Sequence, residues 1–398
     1  MENLDIGVRL GKGREHALRR RHPWIYSGGI DETVGDPEPG AVVAVVDSAG
    51  RCIARGLWNP NSQIAVRVLT WGSDAFDQDS WAARVATAVA RRSDLAADPT
   101  TDAYRLVHSD ADGLPGCIVD RYGDWLVLQL SSLGIERRCE TIVDALVDEV
   151  QPRGVLLRVD EDMREKEQLT RVAGVLRGES PGDEFTICER GRRFHVDLIG
   201  GHKTGFYLDQ RSNRDRVAAY AHDRDVLDAF CYSGGFTVAA GLGGAHRVVS
   251  VDSSAPALAL ARRNRAANDL PVRDEDHVDA NVFEYLRGAR DRRLSFDMII
   301  LDPPKLARSR HQLDSALRAY KDANLLGLKL LRGGGVLFTF SCSGAVSHDD
   351  FRKMLMHAAA DAGRDVQIIE TLAAGADHPT LATLPESEYL KGFVCRVS

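Results

Sequence analysis

The run from Val226 to Leu242, VLDAFCYSGGFTVAAGL, most constrains the fold of this chain. An apolar stretch carries an acid, Asp228, and passes through the adjacent glycines Gly234 and Gly235 into a helical pattern. A strand, a glycine turn and a helix start in this order are typical of a Rossmann-type sheet, where the turn seats a nucleotide-like cofactor. Because strands and helices alternate from about residue 187 to the end, we predict a doubly wound α/β sheet.

The next apolar run, RVVSVD, ends in Asp252, 24 residues beyond Asp228. An acid at that strand end can accept both hydroxyls of a ribose. The glycine spacing does not match G-x-G-x-x-G, so the pattern disfavours a dinucleotide. The expected cofactor has a ribose and no pyrophosphate, which describes S-adenosylmethionine, whereas an ordinary βαβ turn is the alternative.

Two further runs end in residues that can carry chemistry. FDMIILDPPKL, residues 296–306, contains Asp302, and GGGVLFTFSCSG, residues 333–344, contains Cys342. Ligands gather at the carboxyl ends of parallel strands, so the acid and the thiol would converge if their strands are neighbours, and there they could act on one electron-poor ring. The alternatives are a buried core thiol and a structural carboxylate; the hydroxyls around Cys342 and the rigid Pro303-Pro304 turn favour a functional site.

The bulk properties bound the class of protein. A chain of 398 residues predicts two to three domains. No stretch approaches the roughly 18 apolar residues of a membrane span, and the N-terminus lacks an apolar signal core, so we expect no membrane contact and a cytoplasmic location. The seven cysteines are scattered without a C-x-x-C pair or a Cys/His cluster, which argues against both a disulfide framework and a metal site.

Three domains are predicted along the chain. Residues 1–72 read as short strands with turns, typical of a small β-barrel, and residues 73–186 as an α+β segment with a helix near 76–93. In that segment DADGLPG, residues 110–116, fails the EF-hand pattern and is interpreted as a tight turn. Residues 187–398 form the alternating α/β domain.

Local signals predict some element ends in that last domain. Ser254 is a plausible N-cap with Pro256 in the first turn, and Asp314 a possible cap of a later helix that the glycines 333–335 would stop. The closing runs VQIIETL and GFVCRVS look like a final strand pair.

Positive charge is concentrated in two places although the net charge is −7. Residues 9–22 hold six Lys or Arg, and the run after Asp302 is KLARSRHQ. Both runs could be solvated faces, yet their positions favour RNA contacts. The candidate RNA-binding residues are Arg14, Arg19, Arg20, Arg21, Arg308 and Arg310.

Six strings in this order resemble the bacterial large-subunit ribosomal RNA cytosine-5 methyltransferases. They are HPWIYSGGI, DADGLPGCIVDRYGD, GHKTGFYLDQRSNR, VLDAFCYSGGF, FDMIILDPPK and TFSCSG, and they cover nearly the whole chain. The resemblance implies an N-terminal PUA RNA-binding domain, a middle α+β domain and a C-terminal class I methyltransferase domain that uses S-adenosylmethionine. It also implies large-subunit ribosomal RNA as the partner, and a homodimer is left open.

The resemblance also implies a role for individual residues. Asp228, Ser233, Gly234 and Gly235 would shape the cofactor turn, Asp252 would hold the ribose, Asp279 would meet the adenine, and Tyr207 and Gln210 would pack over the cofactor. Asp302 to Lys305 would form the catalytic strand end, and Cys342 matches the nucleophile.

A thiolate suits this chemistry because carbon 5 of cytosine is a poor nucleophile until a nucleophile adds to carbon 6. The thiol pKa must then be lowered by positive charge, for which Lys305 and the sulfonium are candidates. Many RNA cytosine-5 enzymes carry a second cysteine where this chain has Lys305. Two alternatives remain: methylation of an exocyclic base nitrogen, and a non-catalytic RNA-binding or ribosome-assembly factor.

Overall fold

The computed structural model describes residues 6–182, 184–199, 204–307 and 309–398. The chain divides into two compact units. One comprises the residues up to Ile187 together with Val196–Phe206 and Asp377–Pro385, and the other comprises Cys188–His195, Tyr207–Ala376 and Glu386–Ser398. The predicted domain boundaries at residues 72 and 186 stay predictions.

The first unit begins with a six-stranded sheet in the order β2-β6-β5-β4-β1-β3. Alternating apolar residues such as Val43, Val45 and Val66 face its core and are fully buried. A short helix, α1 (His16–Arg19), lies between β1 and β2. The strands are β1 (Gly7–Leu10), β2 (Trp24–Tyr26), β3 (Ile30–Val34), β4 (Val42–Val46), β5 (Cys52–Trp58) and β6 (Ile64–Trp71).

A five-stranded sheet follows in the order β11-β10-β9-β8-β7. Its strands are β7 (Ala103–His108), β8 (Cys117–Tyr122), β9 (Trp125–Leu130), β10 (Gly154–Arg158) and β11 (Gly174–Gly178). Its helices are α2 (Gln78–Ala90), α3 (Ser93–Ala96), α4 (Leu133–Glu136), α5 (Cys139–Val150) and α6 (Glu161–Glu167). The helix predicted near 76–93 is α2, which buries Trp81, Val85 and Ala88 on one face because they recur every three or four residues.

The DADGLPG run forms a 3-10 turn over Ser109–Asp112 closed by Gly113, so the predicted turn is confirmed. It does more than reverse the chain. Asp112 is buried and accepts two hydrogen bonds from Arg92, at 2.8 and 2.7 Å, and one from the backbone N–H of His108 at 2.7 Å. The turn therefore fixes a buried ion pair that the sequence pattern does not reveal.

The second unit is built on a seven-stranded sheet in the order β16-β15-β14-β17-β18-β20-β19. The first five strands are parallel, and β20 runs antiparallel to both of its neighbours, which confirms the alternating α/β prediction and the final strand pair. Its strands are β14 (Asp225–Ala229), β15 (Arg247–Asp252), β16 (His277–Asp279), β17 (Phe296–Leu301), β18 (Leu331–Ser341), β19 (Val366–Ala373) and β20 (Lys391–Val397). A hairpin of β12 (Phe185–Glu189) and β13 (Arg192–Val196) precedes them.

Helices pack on this sheet around an aliphatic core that includes Leu227, Ile299 and Leu337. They are α7 (Arg211–Tyr220), α8 (Gly235–Leu242), α9 (Ala255–Ala267), α10 (Val282–Asp291), α11 (Leu313–Leu330) and α12 (His348–Ala362). Ser254 caps α9 through the N–H of Ala257, as predicted.

Two predicted helix ends are wrong. Helix α11 begins at Leu313 with Gln312 at the N-cap, so Asp314 lies inside the first turn. It ends at Leu330, and the glycines 333–335 belong to β18. Gly335 is close-packed there, because an added Cβ would lie 3.1 Å from the Asp297 oxygen of the neighbouring strand. These glycines serve the strand and do not stop the helix.

Candidate active site

The turn after β14 is tightly folded. Phe230 and Tyr232 adopt φ values of 66° and 48°, and the N–H groups of Phe230 and Cys231 both donate to the Val251 carbonyl, at 2.9 and 3.1 Å. At Gly234, where φ is 76°, an added Cβ would lie 2.9 Å from the Cβ of Ala261. Only glycine fits this position, and helix α8 starts at Gly235 directly after it.

Ser233 completes this turn. It is buried, and its carbonyl accepts a hydrogen bond of 2.9 Å from the Asn264 side chain on α9. The turn is thus held from both sides, by β15 through Val251 and by α9 through Asn264. Its backbone is preorganised for a ligand at the start of α8.

Asp252 and Asp279 lie side by side at the ends of β15 and β16, where they form a register pair. The Asp252 carboxylate accepts the N–H of Tyr232 at 2.9 Å and the N–H of Ser254 at 2.9 Å, so its direction is fixed. Asp279 is exposed. A fixed acid at this strand end fits the hydroxyls of a ribose.

Asp228 is fully buried in the middle of β14. Its Oδ2 accepts a hydrogen bond of 2.6 Å from the Thr237 hydroxyl, which also contacts Ser250 at 2.8 Å. Its Oδ1 has no hydrogen-bond partner among the described residues. Burial, with a smaller contribution from Asp252, raises the Asp228 pKa to about 7.

The segment before α7 brings Tyr207 and Gln210 to the same sheet edge. Gln210 is buried and its Nε2 donates to Asp302 Oδ2 at 3.0 Å. The Tyr207 ring packs edge-on against Tyr232 of the cofactor turn, with centroids 5.3 Å apart. Burial, and then the neighbouring Tyr232 and Asp302, raise the Tyr207 pKa, so its hydroxyl keeps its proton. This segment therefore contacts both the glycine turn and the end of β17.

Asp302 and Cys342 follow the neighbouring parallel strands β17 and β18, in which Leu301 pairs with Thr339. Their strands are thus adjacent, as the predicted convergence requires. Cys342 is partly exposed, and its Sγ lies 4.0 Å from the Pro303 carbonyl oxygen. The thiol and the Asp302 loop occupy one edge of the sheet, within the same unit as the cofactor turn.

Hydrogen bonds hold the Cys342 segment in place. Its two flanking serines both contact the Tyr320 hydroxyl, Ser341 at 3.0 Å and Ser343 at 3.0 Å. The Ser343 hydroxyl also accepts the N–H of Ala307 at 3.1 Å, which links this segment to the loop after Asp302. Both loops are therefore fixed relative to each other before a substrate arrives.

Lys391 is a residue of this site that the sequence reasoning missed. It is buried at the start of β20, and its Nζ donates to the carbonyls of Ser343 at 3.1 Å and Tyr389 at 3.0 Å. Burial lowers its pKa, and Cys342 and Glu388 act in the opposite direction. The available signal was a lysine at the head of an apolar strand, KGFVCRV, where a charge is unusual.

The predicted basic residues are spread over both units. Lys305 is exposed in the loop after Pro304, and Arg310 is exposed at the start of a short 3-10 helix. Arg14, Arg19, Arg20 and Arg21 are exposed on or next to α1. Arg308 lies outside the described residues. Among the residues that the structure describes, no group of His, Cys, Asp and Glu could hold a metal ion, and no helix is long and apolar enough to cross a bilayer.

Two known families match this chain. The PUA-like domain matches residues 8–71, and the S-adenosylmethionine-dependent methyltransferase family matches residues 163–389. The first match covers the six-stranded sheet, and the second includes the glycine turn, Asp252, Asp302 and Cys342.

Similar proteins extend the match to the full length. The ribosomal RNA large subunit methyltransferase I of Photobacterium profundum is 46% identical over 99% of this chain and 100% of its own length. The protein of the same name from Erwinia tasmaniensis is 44% identical over 99% of this chain and 100% of its own length. A SAM-dependent methyltransferase structure from Streptococcus mutans superposes with a TM-score of 0.86 at 23% identity, covering 98% of this chain and 100% of that one, and so shows the fold.

The family match spans more than half of the chain, and relatives at 44–46% identity align along nearly all of it. The chain therefore belongs to the S-adenosylmethionine-dependent methyltransferases, in the family of the ribosomal RNA large subunit methyltransferase I proteins.

Proposed function

We propose that this protein forms 5-methylcytosine in large-subunit ribosomal RNA through a covalent adduct with Cys342. The observation that carries the proposal is the placement of Asp302 and Cys342 after two adjacent parallel strands, on the sheet that also bears the glycine turn and Asp252. The names of the full-length relatives support the RNA substrate.

The cofactor is S-adenosylmethionine, which supplies the methyl group when it is bound. Asp252 would accept the ribose hydroxyls, and Asp279 beside it would meet the adenine. The rest of the site would be lined by the turn of Ser233, Gly234 and Gly235. Oδ1 of buried Asp228, which has no hydrogen-bond partner among the described residues, would lie beside that turn. Tyr207 would pack over the bound cofactor from the segment before α7.

The thiolate of Cys342 would add to carbon 6 of the cytosine, forming an S–C bond while the electrons of the 5,6 double bond move toward ring nitrogen 3. Asp302 would stabilise that charge by hydrogen bonding to, or protonating, nitrogen 3. Carbon 5 is then nucleophilic, and its bond to the methyl group would form as the methyl–sulfur bond of the donor breaks and leaves a neutral thioether. Loss of the carbon-5 proton to a base restores the double bond, and the S–C bond breaks.

The arginines near α1 would bind the RNA backbone. Arg14, Arg19, Arg20 and Arg21 are exposed, and Arg21 stacks over the Trp71 ring at 5.8 Å. Guanidinium groups on one surface neutralise phosphates without reading sequence. Arg308 and Arg310 would add contacts near the catalytic loop.

The test is a trapping experiment with a substrate RNA carrying 5-fluorocytosine at the target position. Fluorine cannot leave as a proton, so elimination stalls and the wild-type enzyme should remain covalently joined to the RNA after methyl transfer. Cys342→Ala should form no adduct and show no turnover while binding the cofactor normally. Cys188→Ala, another partly exposed cysteine, is the matched control and should trap the RNA as the wild type does.

A Cys342→Ala enzyme that methylates the RNA at near wild-type rate would overturn the proposal. Nucleoside mass spectrometry of the product would then distinguish methylation of an exocyclic nitrogen from methylation of carbon 5. Absence of cofactor binding by the wild-type protein would instead favour a non-catalytic RNA-binding factor.

A further inference from the structure

Lys391 lies on β20, which pairs with β18, and its side chain contacts the backbone next to Cys342. In the antiparallel pairing of β18 and β20, Lys391 faces Ser341, the residue before Cys342. Its Nζ reaches past that position and donates to the carbonyl of Ser343, the residue after Cys342, at 3.1 Å. One buried side chain thus contacts the chain immediately beside the thiol.

The charge environment of Lys391 is unusual. The residue is 1% exposed, and no carboxylate forms an ion pair with it within the ranges that the structure describes. Two carbonyl oxygens satisfy part of its hydrogen-bonding capacity. A buried ammonium without a paired anion is costly, and a negative charge that forms beside it would offset part of that cost.

The other titratable groups around Cys342 cannot stabilise a thiolate by charge. Asp302, Tyr207 and Tyr320 lie near it and are acids, so each is neutral or negative and none supplies a positive charge. Glu388, near Lys391, has the same sign. Lys305, which the sequence indicated as a source of positive charge, is exposed to solvent. Lys391 is the buried cation that the described structure places beside the segment.

We propose that Lys391 is a positioning residue of the active site, whose buried ammonium fixes the backbone after Cys342 and stabilises its thiolate. The proposal rests on the proposed role of Cys342 as the nucleophile. The proposal assigns the positive charge that stabilises the thiolate to Lys391 on β20. The sequence had indicated Lys305, in the loop after β17, as the source of that charge. Positive charge near a cysteine lowers the pH at which the thiolate forms, and the thiolate is the reactive species.

The experiment measures the pH dependence of Cys342 alkylation by iodoacetamide in the full-length protein, with the modified peptide quantified by mass spectrometry. Lys391→Met keeps most of the length of the side chain and removes the charge. It should slow alkylation about tenfold near neutral pH and leave the rate at high pH unchanged, because a pKa shift of one unit changes the thiolate fraction about tenfold. Lys391→Arg should restore most of the neutral-pH rate. Cofactor binding measured by calorimetry checks that each variant is folded.

Lys329→Met is the matched control, since its side chain is exposed on α11 and its replacement should not disturb folding. It should leave the alkylation profile as in the wild type. A shifted profile in Lys329→Met, or an unshifted profile in a folded Lys391→Met, would overturn the proposal. Because alkylation reports on the thiol without turnover, this outcome is independent of the 5-fluorocytosine trap, which tests whether Cys342 attacks the base.

Discussion

The Nε2 atom of Gln210 lies 3.0 Å from Oδ2 of Asp302, and this bond sets the orientation of the proposed catalytic carboxylate. The amide group is itself held, because Asn213 donates to its Oε1 at 2.6 Å. The residues that precede β14 therefore fix the direction of the Asp302 carboxylate.

Gln210→Leu should lower kcat/KM by about tenfold to a hundredfold. It removes a part-buried hydrogen bond to a carboxylate, and hydrogen bonds to charged groups contribute about 1.5–3 kcal/mol. Steady-state methylation assays measure the effect. Gln367→Leu, at an exposed position on β19, is the control and should keep the wild-type rate. Equal rates for the two variants would show that Asp302 needs no such support.

Asp252→Asn should weaken S-adenosylmethionine binding by about tenfold to a hundredfold, since donors left with a poorer acceptor cost about 1–3 kcal/mol. Asparagine preserves the shape of the side chain, which matters because Asp252 also accepts the N–H groups of Tyr232 and Ser254. Calorimetric titration gives the affinity. Asp291→Asn, at an exposed helix end, should bind as the wild type does, and an unchanged affinity for Asp252→Asn would move the ribose site elsewhere.

Much of the sheet of the second unit, and of the candidate site at its strand ends, can be predicted from local sequence. Buried parallel strands are apolar runs, and polar residues mark their ends. On that basis the sequence predicts Asp252, Asp302 and Cys342 at strand ends, and in the structure Asp252 ends β15 while Asp302 and Cys342 directly follow β17 and β18. Gly335 shows the limit, since glycine suits a helix stop or a crowded strand equally well and only the partner strand decides. Asp314 shows another, because α11 continues from a 3-10 turn over Arg310–Gln312 with no side-chain cap, so a cap-type residue does not by itself mark the start of a helix.

Contacts distant along the chain could not be predicted. Lys391 reaches the Cys342 segment only because β20 pairs antiparallel with β18, and this register depends on the whole sheet. The sequence around Asp112 predicts only a turn. No residue near it in the sequence indicates that Arg92, 20 residues earlier, forms a buried ion pair with it.

The Arg92–Asp112 pair should be a major determinant of the stability of the first unit. Asp112→Asn should destabilise that unit by about 3–5 kcal/mol, because it leaves the Arg92 charge buried and uncompensated. Urea unfolding followed by tryptophan fluorescence measures the change. Asp94→Asn, at an exposed position on α3, should unfold at the wild-type midpoint, and a similar midpoint for both variants would contradict the assignment.

Replacing Arg19, Arg20 and Arg21 by neutral residues should weaken RNA binding and flatten its salt dependence. Each lost phosphate contact should reduce the slope of log affinity against log salt by about 0.7–0.9. Affinities measured across a salt series separate this effect from misfolding. A loss that is the same at every salt concentration, or no loss at all, would assign these arginines to structure.

Asp228 should make the folded protein less stable as pH rises. Its pKa is raised from 3.8 in the unfolded chain to about 7 in the fold, so its contribution to stability is fully present below about pH 4 and is lost as pH rises through 7. The slope in this window is at most about 1.4 kcal/mol per pH unit. Asp228→Asn, which cannot ionise, should remove this slope and be more stable than the wild type at pH 8, as measured by thermal unfolding without cofactor.

Asp225, on the same strand, should make stability depend on pH in the opposite direction. A hydrogen bond from His246 and the nearby Arg332 lower its pKa, so its contribution is present above the unfolded pKa and is lost as pH falls below it. Asp225→Asn should therefore lower the unfolding temperature at neutral pH and have little effect in acid, the reverse of the change at Asp228. Parallel pH profiles for the two variants would show that burial does not keep Asp228 protonated.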